Sequence, residues 1–101
     1  MWLMVLFDLP VVQKEQRKAA GAFRNSLLDL GFEMAQYSVY LRFCASQSIA
    51  DTTVSRVHRL LPSEGRVTIL TFTDKQFERA ISFQERVKLP PKSGPEQLEI
   101  F

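Results

Sequence analysis

A chain of 101 residues with a formal net charge of +2 and 46% hydrophobic side chains is one domain with ample material for a core. Its apolar start has neither the basic leading region and cleavage site of a signal peptide nor the ~20 residues of a membrane helix, so no membrane association is expected. The lone cysteine, Cys44, has no intramolecular disulfide partner, which suits a reducing cytoplasm, and with the lone histidine, His58, it excludes a zinc-ligand pattern.

The first element is the run Met1-Trp2-Leu3-Met4-Val5-Leu6-Phe7, which has no polar member and is closed by Asp8 and then Leu9-Pro10. A run this short and apolar on both alternate faces predicts a buried strand that the proline ends. A carboxylate at the mouth of such a strand is expected to pay for desolvation. Backbone N–H groups, an arginine or a metal ion would compensate it, the first two as a structural cap and the last as a site.

Residues 13–30 predict a helix, with Ala19, Ala20, Phe23, Leu27 and Leu30 on one face and Gly31 as its stop. Lys14, Arg17, Lys18 and Arg24 gather on the opposite side within about 120° of helix surface. Residues 32–35 and 36–43 predict two strands. In the second, Tyr37, Val39, Leu41 and Phe43 alternate with Gln36, Ser38, Tyr40 and Arg42, so one face is expected to be apolar and the other polar. Ser46 or Ser48 can cap a second helix to Leu61 with Ile49, Thr53, Val57, Leu60 and Leu61 along its stripe, broken by Pro62 and Gly65. Residues 67–72 predict a β-branched strand, Thr73-Asp74 a cap for one helical turn to Glu78, and Ile81 and Phe83 a further short strand.

The order β-α-β-β-α-β with an additional strand is an α+β, ferredoxin-like arrangement over residues 1–89. Residues 90–101 read as a Pro-rich linker and an interaction tail, in which Leu98, Ile100 and Phe101 suit strand addition to a partner. Two helices cover one face of a sheet, yet Trp2, Met4 and Leu6 point opposite to Leu3, Val5 and Phe7. A second copy of the chain is the simplest cover, and a homodimer packed through its sheets is expected.

Several chemistries are excluded. No nucleophile–histidine pattern surrounds His58, no glycine lies between Leu9 and Arg17 to cradle a phosphate, and Tyr37-Ser38-Val39-Tyr40 does not match an RNA-recognition motif. Two possibilities stay open. Glu96 and Glu99 lie late in the chain, leaving 13 basic against 9 acidic side chains over residues 1–92, and the basic helix face is either solvated or a phosphate contact. In a dimer its cations double, each adding roughly 0.9 to the salt slope on duplex DNA. Asp8 alone builds no two-metal site, but two Asp8 side chains near a two-fold axis could share one Mg²⁺.

Taken together, the apolar strand ending in Phe7-Asp8, the basic helix with Arg17, Gly31-Phe32 and Gln36-Tyr37-Ser38-Val39-Tyr40 closely resemble the CRISPR-associated protein Cas-two family. Thr73-Asp74-Lys75-Gln76-Phe77 and Gln97-Leu98-Glu99-Ile100-Phe101 look like the variant found beside Cas-nine, in type II systems. The resemblance implies a ferredoxin-like homodimer that bridges dimers of the Cas-one integrase and holds double-stranded protospacer DNA on its basic surface during spacer acquisition. As an alternative it implies an Mg²⁺-dependent endonuclease on RNA or DNA, with Asp8 as catalytic metal ligand. Where several relatives carry an arginine near the start of the third strand, this chain has Met34, which removes a candidate phosphate contact. Tyr40 and Ser38 occupy the family's aromatic and small polar positions and are expected to pack at the dimer interface.

Overall fold

The computed structural model describes residues 1–91. The expected tail contacts Leu98, Ile100 and Phe101, and most of the expected linker, lie outside these residues.

Strand β1 (Trp2–Asp8) is central in a four-stranded antiparallel sheet ordered β2-β3-β1-β4, with β2 (Glu33–Gln36), β3 (Val39–Phe43) and β4 (Arg66–Phe72). Helices α1 (Lys14–Asp29) and α2 (Gln47–Arg59) connect β1 to β2 and β3 to β4. This is the expected α+β, ferredoxin-like order. Helix α3 (Asp74–Glu78) and a small hairpin of β5 (Phe83–Gln84) and β6 (Val87–Lys88) follow. The single short strand expected around Ile81 and Phe83 is therefore a hairpin, turning at Glu85 and Arg86, both at positive φ.

Local chemistry sets the helix ends. The Ser46 hydroxyl accepts from the Ile49 N–H at 3.2 Å, and Thr73 exchanges reciprocal bonds with Gln76 at 3.1 and 2.9 Å, so each side chain satisfies donors that the first helical turn leaves unpaired. At the end of α1, Gly31 adopts φ +88, and the N–H groups of Gly31 and Phe32 return to the carbonyls of Leu28 and Leu27.

The two faces of the sheet bury different clusters. Leu3, Val5 and Phe7 meet Phe23 and Leu27 of α1 and Ala50 and Val57 of α2, joined by Phe32, Tyr40 and Cys44. Cys44 is buried and free, a small core residue. On the opposite face, free of α1 and α2 and called helix-free on that account, Trp2 stacks on Phe77 of the short α3 (centroids 4.1 Å, 15°) and meets the Phe43 ring edge-on at 5.4 Å. Part of the cover expected from a second chain is thus supplied by α3. Beyond Phe77 the helix-free face stays open along Met4, Leu6, Val39 and Leu70, the last being 42% exposed.

The predicted strand over residues 36–43 is corrected. Tyr37 and Ser38 form the turn between β2 and β3, with Ser38 at φ 63, so the alternation breaks there. Tyr40, expected on a polar face and at a dimer interface, is 3% exposed and packs under the helices, 5.6 Å from the Phe7 ring. Arg42 likewise turns inward and donates to the Thr53 hydroxyl, which itself donates to the Ile49 carbonyl at 2.7 Å. Both faces of this strand are wanted by the core, and its one guanidinium is accommodated by a hydroxyl of α2.

Candidate nucleic-acid interface and metal site

Asp8 is the last residue of β1 and lies on the helix-free face, in antiparallel register with Arg66, the first residue of β4. Contrary to the desolvated carboxylate expected from its apolar strand, Asp8 is exposed. Among the described residues its side chain accepts no hydrogen bond and joins no ion pair, the one salt bridge there being between the Met1 amine and Asp74 at 2.9 Å. Neither structural compensation considered for it, backbone N–H groups or a paired arginine, is present among those residues.

The end of β1 that holds Asp8 is tied from two sides. The Phe7 N–H donates to the Ser38 carbonyl at 3.1 Å, bringing the Tyr37-Ser38 turn alongside. On the other side Gly65, at φ +93, leads into β4 so closely that a Cβ there would stand 2.7 Å from the Asp8 carbonyl oxygen and 2.7 Å from Leu9 Cδ2. Gly65 is therefore more than a helix breaker: its missing side chain lets β4 start beside Asp8. The result is a cavity of about 320 Å³ lined by Asp8, Arg66, Leu6, Val39, Thr68 and the turn.

The other acidic candidates are not brought to Asp8. Asp51 accepts from Gln47 at 2.9 Å, Glu64 from Gln16 at 3.0 Å, and Asp74 holds the Met1 amine. Among the described residues no three His, Cys, Asp or Glu side chains form a metal-holding group. Among the described residues this corner of one chain thus offers one carboxylate with a neighbouring guanidinium.

The basic residues of α1 divide. Lys14 and Lys18 are exposed. The Arg17 Nη1 donates to the carbonyls of Val11 and Val12 at 3.2 and 2.8 Å, so this guanidinium holds the loop between β1 and α1. The Arg24 guanidinium lies over the Tyr37 ring at 5.7 Å, and with Arg17 and Val11 the pair lines a second cavity of about 310 Å³. Nothing in the sequence pattern marks Arg66 or Tyr37 as a site residue. Arg66 becomes visible only once β1 and β4 are paired in register, and Tyr37 only once the alternation is seen to break at a turn.

The model of the family described as CRISPR associated protein Cas2 matches residues 1–80. The chain belongs to the Cas2 family. It is 55% identical over 101 residues to a protein of Paracidovorax avenae named CRISPR-associated endoribonuclease Cas2, covering 100% of this chain and 94% of the relative. A protein of the same name from Parvibaculum lavamentivorans is 43% identical over 101 residues, covering all of both chains. One from Streptococcus mutans is 40% identical over 81 residues, covering 80% of this chain and 74% of the relative. Cas2 membership accords with the ferredoxin-like sheet and with the resemblance carried by Phe7-Asp8 and the Gln36–Tyr40 motif. In addition, no helix among the described residues is long and apolar enough to cross a membrane.

Proposed function

We propose that this Cas2 chain is an Mg²⁺-dependent endoribonuclease of a CRISPR system, with Asp8 as the metal-holding carboxylate and Arg66 as the phosphate-binding cation beside it. The observation that carries this reading is the exposed Asp8 carboxylate, unpaired among the described residues, in a cavity that also presents a guanidinium. The endoribonuclease name of the Cas2 relatives supports it. The donor chemistry suits Mg²⁺, which keeps several waters and is held by one or two carboxylates together with substrate phosphates. When bound, the ion would neutralise phosphate charge and make a coordinated water more acidic. Asp8 would hold the ion, Arg66 would draw the phosphate toward it, and Leu6 and Val39 would form an apolar floor.

A second copy of the chain is part of the proposal. The open strip of Met4, Leu6, Val39 and Leu70 runs along the same face as Asp8, so a homodimer covering it would bring a second Asp8 toward the first. The test is cleavage of a labelled single-stranded RNA in Mg²⁺ and in EDTA by the wild type and Asp8→Asn, with the molar mass of each in solution. Cleavage by the wild type in Mg²⁺ alone, lost in a folded dimeric Asp8→Asn, is the expected outcome. Equal cleavage by both proteins would refute the assignment. Because Asp8 makes no side-chain bond among the described residues, Asp8→Asn is expected to change stability by less than about 0.5 kcal/mol.

One observation favours a second reading, a structural subunit of spacer acquisition in a type II system that bridges Cas-one integrase dimers and holds protospacer DNA. Among the described residues each chain brings a single carboxylate to the Asp8 corner, whereas Lys14 and Lys18 stand exposed on α1 for duplex phosphates. Reconstituted spacer integration that requires this protein yet tolerates Asp8→Asn would support that reading.

A further inference from the structure

We propose that Tyr37 is a stacking platform for one unpaired base of an RNA strand on its way to Asp8, with Arg24 beneath the ring and Arg17 at its side. This deepens the endoribonuclease reading and rests on it for the choice of RNA. Tyr37 is 77% exposed, although an aromatic ring of this size has much to gain from burial. Its position is not that of a loose surface residue. It sits in a two-residue turn whose next residue, Ser38, has φ 63 and whose carbonyl is gripped by the Phe7 N–H at 3.1 Å. The backbone that presents the ring is therefore held by the central strand of the sheet.

Three features give this ring a ligand chemistry. First, Tyr37 lines both cavities, the one with Asp8 and Arg66 and the one with Arg17 and Arg24, so it stands on the route between them. Second, the Arg24 guanidinium at 5.7 Å from the ring centroid steadies the ring and places a cation next to any base stacked on it. Third, Arg17 spends Nη1 on two loop carbonyls, which holds its planar head in the depression that Tyr37 also lines, and its other nitrogens make no hydrogen bond among the described residues. A ring with one guanidinium over it and a second lining the same depression matches a nucleotide: the base takes the π-face and the backbone phosphate takes the cation. A duplex keeps its bases stacked on one another, so an exposed ring at a turn selects a single strand.

The test is binding, measured in EDTA so that no hydrolysis intervenes. A fluorescein-labelled oligouridylate and a blunt DNA duplex of equal length are titrated with the wild type, Tyr37→Ala, Tyr37→Phe and Arg24→Gln, each checked for folding by circular dichroism. The expected result is a loss of about 5- to 150-fold in oligouridylate affinity for Tyr37→Ala. Tyr37→Phe should stay within about twofold, since it keeps the π-face, Arg24→Gln should fall between them, and duplex affinity should be the same for wild type and both Tyr37 variants. Unchanged oligouridylate binding by Tyr37→Ala overturns the platform, as does a loss in Tyr37→Phe equal to that in Tyr37→Ala. Should Tyr37→Ala not fold, Tyr37→Leu replaces it under the same criteria. If the platform fails, Asp8-dependent cleavage can still stand. If the nuclease assignment fails, Tyr37-dependent binding of the single strand persists without cleavage.

Discussion

Replacing Gly65 by alanine tests how the Asp8 end of β1 is built. Gly65 has φ +93, and a left-handed conformation costs a residue with a Cβ roughly 1–2 kcal/mol. The added Cβ would also meet the Asp8 carbonyl oxygen at 2.7 Å and Leu9 Cα at 3.1 Å, backbone atoms that cannot swing aside as a side chain can. Overpacking of that kind adds roughly 1–3 kcal/mol, for a total of about 2–5 kcal/mol. At ~4–8 °C per kcal/mol for a domain of this size, the midpoint of thermal unfolding followed by circular dichroism should fall by at least about 8 °C. Two other glycines serve as references. At Gly31 (φ +88) the nearest atom to a Cβ is Arg42 Nε at 3.4 Å, on a side chain able to yield, so Gly31→Ala should cost only about 1–2 kcal/mol. At Gly21, inside α1, nothing lies within 4 Å, and Gly21→Ala should stabilise by roughly 0.5–1 kcal/mol. A Gly65→Ala protein as stable as Gly31→Ala would refute the reasoning, because the two differ chiefly in whether backbone or a flexible side chain meets the methyl group.

The helix-free face and the helix-side core each make a further prediction. Phe77→Ala removes the ring stacked at 4.1 Å on Trp2, one that is 7% exposed, and should cost about 3–5 kcal/mol. Its second readout is a red-shifted emission from Trp2, the only tryptophan, as that face opens to water. Thr53→Val removes the hydroxyl that accepts from Arg42 and should cost about 1–3 kcal/mol by urea unfolding. Thr53→Ser, which keeps the hydroxyl, should recover most of that loss, and equal costs for the two variants would show that the Arg42 contact contributes little.

The elements whose signals are local were legible in the sequence. Alanine and phenylalanine at helical spacing marked the face of α1 that buries Ala20, Phe23 and Leu27. Ser46 or Ser48, of which Ser46 is the cap, and Thr73 announced two helix starts, and Gly31 the end of α1, because a cap depends on atoms a few residues away. Asp8 stood out for the same reason, as the first charge after an unbroken apolar run. Periodicity failed where both faces of a strand are apolar. Between Gln36 and Phe43, alternation separates Tyr40 and Arg42 from Val39, Leu41 and Phe43 but does not tell which of the two faces lies under the helices, so Tyr40 reads as part of a polar, dimer-facing surface, and the turn at Tyr37-Ser38 leaves no mark in the pattern.

Tertiary structure alone decided the rest. The register of β1 with β4 sets Arg66 opposite Asp8, and the bond from Phe7 to Ser38 carries Tyr37 to the same corner. Gly65 was readable as a breaker, but its value lies in the space it leaves against Asp8, and Phe77 was a helical residue whose partner, Trp2, lies at the far end of the chain. The physical reason is common to all four. Sequence pattern reports which side chains avoid water and which backbone conformations are cheap, both properties of a short segment. Which groups meet across the sheet depends on strand order and register, and those follow from packing the whole core at once.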